Sequence, residues 1–172
     1  MLGFYANFPA NIHSAEAFVS VLSARKLQEK LMQVLQEVNR KPFSFEEIAT
    51  PTVPNGSVIF EIGLAEESSF SYVDAEETKK VLHALRKNPL QLMDFFCVAR
   101  YYKTAGEKRA PLKFDYYFVR FIFSQGFVQI QVHHERGPRY ISPRDITSFL
   151  VDQINRASAR KVLKLVESES FQ

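Results

Sequence analysis

Apolar and polar residues alternate along the chain with two different periods. Apolar side chains at every second position are typical of a strand, and spacings of three or four residues are typical of a helix that covers a core. The pattern predicts strands at 17–23 ("AFVSVLS"), 57–66 ("SVIFEIGLAE"), 70–73 ("FSYV"), 92–103 ("LMDFFCVARYYK") and in both halves of 114–135 ("FDYYFVRFIFSQGFVQIQVHHE"). It predicts helices at 24–39, from 75 to about 87, and 143–167.

Polar residues mark the predicted helix starts. Ser23 is a suitable N-cap for the first helix, and Asp74 precedes the second. Ser142, followed by Pro143 at the first helical position, gives the clearest helix start in the chain. The segment "ASARKVLKLVE" (157–167) could continue that last helix, and one long helix beginning at Ser14 is an alternative to the first strand.

These elements follow the order β-α-β-(β)-α-β-β-β-α. Strands joined by short loops pair antiparallel, and helices must cover at least one face of the sheet. The sequence therefore predicts an α+β fold in a single domain, residues 1–172, with an antiparallel sheet of about five strands and helices packed on it.

The aromatic segment 114–135 is predicted to be a hairpin that turns at Gln125 and Gly126. This turn fixes the register of the two strands. On one face, apolar positions meet each other, from Phe123 opposite Val128 to Tyr117 opposite His134. This face is the predicted core.

The other face of the hairpin mixes aromatic rings with Arg, His and Gln, which a dry core disfavours. Rings beside cations suit single-stranded nucleic acid, because bases stack on rings while Lys and Arg hold phosphates. The predicted nucleic-acid-binding residues are Phe96, Arg100, Tyr102, Lys103, Lys108, Arg109, Tyr116, Phe118, Arg120, His133, Arg136 and Arg139. The alternative is that a helix covers this face, with Arg120 paired to Glu135 or Asp115.

Charge is distributed unevenly along the chain. Residues 1–95 carry 9 Lys/Arg and 12 Asp/Glu, whereas residues 96–172 carry 13 and 7. A basic half that contains the aromatic hairpin favours an anionic partner.

With one cysteine and no apolar run of about 18 residues, the composition predicts a soluble, cytoplasmic protein without membrane contact.

No catalytic signature is apparent, so the sequence favours a non-enzymatic protein with no cofactor and no bound metal. His133 and His134 are neighbours on a strand and point to opposite faces, and His134 is expected to be a structural, hydrogen-bonded residue. Cys97 is expected to be a buried, inert thiol. A metal-dependent nuclease built on Asp94, Asp115 and Glu135 is a further alternative.

The helices offer a different function, since 26–39 and 154–167 are amphipathic. An assembly or scaffold subunit that uses these helices, for example a homodimer formed through helix 143–167, is the main alternative to nucleic-acid binding.

The stretches "YYK", "FDYYFVRF" and "HHERGPRY", with the basic C-terminal helix, resemble the archaeal ThermoDBP-type single-stranded DNA-binding proteins. The resemblance covers roughly residues 92–167 and lies in general character, without a diagnostic motif. It implies binding of single strands in a hydrophobic cleft flanked by basic residues, on a fold other than the OB-fold. No individual residue role follows from it.

Overall fold

A computed structural model describes residues 3–49, 56–105 and 108–166. Nine strands in this part of the chain form one sheet in which all neighbours are antiparallel, and three helices lie against it. The strands are β1 (Gly3–Phe4), β2 (Ser14–Ser20), β3 (Pro42–Ser44), β4 (Gly56–Glu66), β5 (Ser69–Tyr72), β6 (Leu92–Ala105), β7 (Lys108–Ser124), β8 (Phe127–Arg136) and β9 (Leu163–Leu165). The helices are α1 (Ala24–Val38), α2 (Ala75–Leu85) and α3 (Pro143–Ala157), with a short 3₁₀ helix at Phe45–Glu47.

The strand order across the sheet is β1-β5-β4-β6-β7-β8-β2-β9, and β3 also pairs with β4. The α+β class with an antiparallel sheet is therefore confirmed. The estimate of about five strands is wrong, because the short strands β1, β3 and β9 lack the long alternating pattern from which strands were predicted. None of the described helices is long and apolar enough to cross a membrane.

The helices form where the sequence predicts that they begin. The side chains of Ser23, Asp74 and Ser142 each accept a hydrogen bond from a backbone N–H three residues further on. The strand Ser14–Ser20 excludes the alternative of one long helix from Ser14. All three helices bury their apolar sides in one core with the strands, so one face of the sheet, the core face, is covered by helices.

Helix α3 ends at Ala157, and the prediction that it continues to 167 is wrong. Ala159 has a left-handed backbone (φ 54°), and Leu163–Leu165 then pairs with β2 as an edge strand. The Asn155 side chain accepts hydrogen bonds from the N–H groups of Val162 and Leu163, which holds the reversed chain against the end of the helix.

The β7–β8 hairpin has the predicted register from Ser124 opposite Phe127 to Tyr117 opposite His134. The prediction fails at the next pair, because Tyr116 lies opposite Arg136 and not opposite Glu135. A β-bulge at this point leaves Glu135 without a partner in the ladder.

The second face of the sheet, opposite the helices, is crossed by residues 5–13, which we call the N-terminal strap. The strap begins directly after β1, where the Tyr5 N–H donates to the carbonyl of Ser68 just before β5, and it reaches β8, where the His13 N–H donates to the Val132 carbonyl. In between, the Tyr5 hydroxyl donates to Asp94 on β6, and the Phe8 ring lies edge-on to Phe118 on β7. The chain's own N-terminal segment, and no helix, therefore covers the middle of this face.

Candidate nucleic-acid interface

Beside the strap, aromatic rings on the second face form one connected surface. We call it the aromatic patch, and it consists of Phe4, Phe70, Phe96, Phe114, Tyr116 and Phe118. At its centre the Phe96 and Tyr116 rings are stacked, 5.5 Å apart and inclined by 15°. Phe70 and Phe118 lie 5.4 and 5.3 Å from Phe96, and Phe114 meets the Tyr116 ring edge-on at 5.2 Å.

Small residues on β4 allow these rings to meet. Gly63 lies opposite Phe96 in the ladder with β6, and Ala65 lies opposite Phe70 in the ladder with β5. Neither residue places a large side chain between β5 and β6. The Phe70 ring therefore reaches Phe96 across β4 and is itself almost completely buried, with 1% exposure.

Three adjoining hollows open on the patch, and Tyr116 lines all of them. The aromatic hollow, about 330 Å³, is lined by Phe4, Phe70, Phe96, Tyr116, Phe118, Glu135 and Arg136. The Arg100 hollow, about 210 Å³, is lined by Glu61, Tyr72, Phe96, Val98, Arg100, Phe114 and Tyr116. The Lys113 hollow, about 480 Å³, is lined by Lys113, Phe114, Tyr116, Arg136, Gly137 and Pro138.

Cations border the rings on two sides. The Arg136 guanidinium lies over the Tyr116 ring, 5.5 Å from its centroid, and both Arg136 and Lys113 are exposed. On the other side, Arg100 pairs with Glu61 at 3.1 Å. An exposed pair of this kind holds its partners weakly, so Arg100 can exchange Glu61 for another anion.

A buried carboxylate on the core face fixes the loop that follows β8. Asp115 is fully buried and accepts hydrogen bonds from His134 Nε2 (2.7 Å), from the N–H groups of Arg139 (2.7 Å) and Tyr140 (3.0 Å), and from the Tyr101 hydroxyl. Burial, with the nearby Tyr117 and Asp115, raises the pKa of Tyr101, so this hydroxyl stays a donor. The network holds Arg136 to Pro138 beside Tyr116.

The structure brings together four of the predicted binding residues, namely Phe96, Tyr116, Phe118 and Arg136. Arg100 lies at the rim, Tyr102 and Lys103 follow it on β6, and Arg139 is exposed in the loop after β8. Lys108 and Arg109 belong to β7, but their side chains lie outside the part of the chain that is described.

Arg120 and His133 lie on the second face as predicted, but both contact the strap, which the sequence did not indicate. The Arg120 guanidinium pairs with Asp94, not with Glu135 or Asp115, and lies 4.5 Å from the centroid of the Phe8 ring. His133 Nδ1 bonds the Asn11 carbonyl, and its ring stacks on His13 at 4.8 Å. His133 and His134 do point to opposite faces, as predicted, and His134 is hydrogen-bonded to buried Asp115.

Sequence reasoning missed Phe4 and Phe70 as members of the patch, and Glu61 and Tyr72 as its neighbours. Phe70 belongs to a strand that was predicted, but its position beside Phe96 depends on strand order, which the sequence does not display. Phe4 is 84% exposed and belongs to the two-residue strand β1, which has no periodic pattern.

The structure does not bring together the three carboxylates of the alternative nuclease cluster. Asp94 lies on the second face beneath the strap, whereas Asp115 lies on the core face, so the sheet separates them. Among the described residues, no group of three or more His, Cys, Asp or Glu is arranged to hold a metal ion.

Cys97 is buried as predicted, and burial raises the pKa of its thiol to about 12.

Comparisons of the chain with protein-family models, with curated proteins and with solved structures found no match.

Proposed function

We propose that the protein is a non-enzymatic nucleic-acid-binding protein that holds single-stranded DNA or RNA on the aromatic patch. The observation that supports this proposal is the position of Tyr116. Its half-buried ring lines three adjoining hollows and carries a guanidinium on one side. A half-buried ring that lines open hollows is suited to contact a base, and stacking of a base on aromatic side chains contributes about 1–3 kcal/mol.

The arrangement of charge supports the same function. Lys113 and Arg136 line the hollow next to the aromatic one, so a phosphate could lie beside a stacked base. Arg120 is excluded from this role because Asp94 neutralises it beneath the strap. The proposed phosphate contacts are therefore Arg100, Lys113, Arg136 and Arg139.

Fluorescence anisotropy with labelled ten-nucleotide DNA and RNA strands tests the proposal. We expect micromolar or tighter binding at low salt that weakens as salt rises. Tyr116→Ala should weaken binding by about fivefold or more, the lower limit for loss of one stacked base. Phe127→Ala is the matched control, because Phe127 is 49% exposed at the far end of the same hairpin and should change affinity little.

A second pair of variants tests the contribution of the cations to binding. Arg136→Gln should reduce the slope of log affinity against log salt by about 0.7, the contribution of one phosphate contact to a single strand. Arg156→Gln, on the exposed side of α3, should leave that slope unchanged. If anisotropy stays flat with every strand at tens of micromolar protein, the proposed function is wrong.

Assembly through the amphipathic helices is less well supported than nucleic-acid binding, because the apolar sides of these helices already pack within the chain. The apolar side of α1, for example Leu31 and Leu35, and that of α3, for example Ile146 and Ile154, are buried in the core of the same chain. A homodimer stays a prediction, and light scattering on the purified protein tests it.

A further inference from the structure

The aromatic hollow differs from the other two hollows in the chemistry of its mouth. Five rings form its walls, and only Glu135 and Arg136 add charge. Rings stack every base and give only modest preferences among them. A strong preference at this hollow therefore requires its charged groups, and one of these, Arg136, already lies over the Tyr116 ring.

The Glu135 carboxylate is held in place although it is half exposed. Glu135 follows His133 by two positions on the second face, and the β-bulge in β8 brings Arg136 opposite Tyr116, so that both side chains line the mouth of the hollow. Its Oε2 atom lies 2.8 Å from Nε2 of His133. The other ring nitrogen of His133 contacts the Asn11 carbonyl, so the strap sets the orientation of the imidazole and, through it, of Glu135.

The contact with Nε2 of His133 occupies one lone-pair position of Glu135 Oε2. The second lone pair of Oε2 and both lone pairs of Oε1 have no protein donor within the described part of the chain. Glu135 is therefore an oriented group that can only accept further hydrogen bonds.

An oriented carboxylate selects bases by their donors. Guanine presents N1–H and the N2 amino group side by side on its Watson–Crick edge, which matches the two oxygens of a carboxylate. Adenine and cytosine each present a single amino group on that edge, and thymine and uracil present a single N–H.

We propose that the aromatic hollow is a base pocket for guanine, in which the rings of Phe96 and Tyr116 contact the base and Glu135 accepts from N1–H and the N2 amino group. This inference rests on the proposed function, because it assigns a base preference to the same site. The phosphate next to this base lies in the Lys113 hollow, beside Arg136.

The test uses labelled ten-nucleotide thymidine strands that carry one variable base at the centre, so that no guanine quadruplex forms. With the full chain, a central guanine should bind at least about fivefold tighter than a central adenine, the lower limit for discrimination by a bidentate contact. A central hypoxanthine, which lacks the N2 amino group, should lose most of that advantage.

Glu135→Gln should reduce the preference for guanine to twofold or less and keep the affinity for the all-thymidine strand. The outcome distinguishes the two proposals. Equal binding of all central bases by the wild type, or a guanine preference that survives Glu135→Gln, would overturn the guanine pocket and leave nucleic-acid binding intact. Absence of binding to every strand would overturn both. Circular dichroism and thermal unfolding establish that the variant is folded.

A carboxylate among rings is also suited to a quaternary ammonium ion. The guanidinium of Arg136 at the same mouth opposes that occupant by charge repulsion. Millimolar tetramethylammonium chloride should therefore displace the guanine strand no more than sodium chloride at equal ionic strength. Specific displacement by tetramethylammonium would show that the pocket prefers a cation and would overturn the assignment to guanine.

Discussion

Arg120 and Asp94 lie opposite each other on β7 and β6 and form a two-point ion pair beneath the strap. Arg120 Nε lies 2.7 Å from Asp94 Oδ1, and Nη2 lies 2.8 Å from Oδ2. The Asp94 side chain is 5% exposed and that of Arg120 is 26% exposed. The Tyr5 hydroxyl donates to the same carboxylate, so the pair is also the anchor for the strap.

Removing Arg120 should strongly destabilise the fold. Arg120→Met leaves the Asp94 charge buried with only Tyr5 as a donor, and we expect a loss of about 3 kcal/mol in the free energy of unfolding, the lower end for a broken buried pair because Arg120 is partly exposed. Urea unfolding measures this loss. The control is Arg100→Met, which breaks the exposed pair with Glu61 and should cost about 1 kcal/mol or less. Equal losses in the two variants would contradict a buried anchor.

The Tyr5–Asp94 contact should make stability depend on pH in alkaline solution. Burial, the hydrogen bond to Asp94 and the charge of Asp94 raise the pKa of Tyr5 from 10 to about 12. Because the folded-state pKa is the higher one, the contribution of Tyr5 is complete below pH 10 and is lost as the pH rises towards 12. Tyr5→Phe should therefore lose less unfolding free energy than the wild type between pH 10 and 12. Urea unfolding at several pH values measures the two free energies. An equal loss in the variant and in the wild type over this range would contradict the contact.

Gly137 should tolerate no side chain. Its φ of 113° favours glycine, and a Cβ would lie 2.3 Å from Asp115 Oδ1 and 2.4 Å from the Phe114 carbonyl oxygen. Gly137→Ala should therefore cost more than about 2 kcal/mol by urea unfolding, through backbone strain and disruption of the Asp115 network. Gly126→Ala separates the two effects, because Gly126 has a φ of 78° but nothing within 4 Å of an added Cβ. That variant should cost about 1 kcal/mol, and a similar cost at both positions would contradict the steric argument.

A second pH dependence should arise from Glu77 at the start of α2. Burial, followed by a hydrogen bond to Glu66 and the charge of Glu66, raises the pKa of Glu77 from 4.5 to about 7. The stabilising contribution of the protonated form is thus complete below pH 4.5 and is lost as the pH rises through about 7. Glu77→Gln removes this loss, so the stability of the variant relative to the wild type should be greater at pH 8 than at pH 5. Urea unfolding at the two pH values measures the difference in stability between variant and wild type. If this difference is the same at both pH values, the raised pKa of Glu77 is contradicted.

Local signals in the sequence were sufficient for the central hairpin. Gly126 fixes the turn, and alternation then assigns Val119 and Phe121 to the core and Phe118 and Arg120 to the second face. The bulge at Glu135 could not be predicted, because the ladder loses its register through the loop beyond it, where Gly137 approaches Asp115. The bulge places Arg136 opposite Tyr116, at the mouth of the pocket that we assign to guanine.

The cover of the second face could not be predicted for a different reason. A helix was the cover suggested as the alternative for this face, because long amphipathic segments are visible in a sequence. The strap has no such pattern, and its anchors, Tyr5 with Asp94 and Asn11 with His133, are 89 and 122 positions apart.

The end of α3 was missed in a similar way, since Ala159 adopts a left-handed backbone without the glycine that usually marks one.

The distance between the strap and its anchors has a consequence for the order of folding. During synthesis residues 5–13 leave the ribosome before β6, β7 and β8, against which they lie, and β6 begins 79 residues after the strap ends. Contacts this far apart in the chain form late, because closing the long intervening loop costs entropy before the contacts can stabilise the fold. The rings of the second face are therefore exposed in the nascent chain until the hairpin is complete, which is the interval in which this protein most needs protection from aggregation.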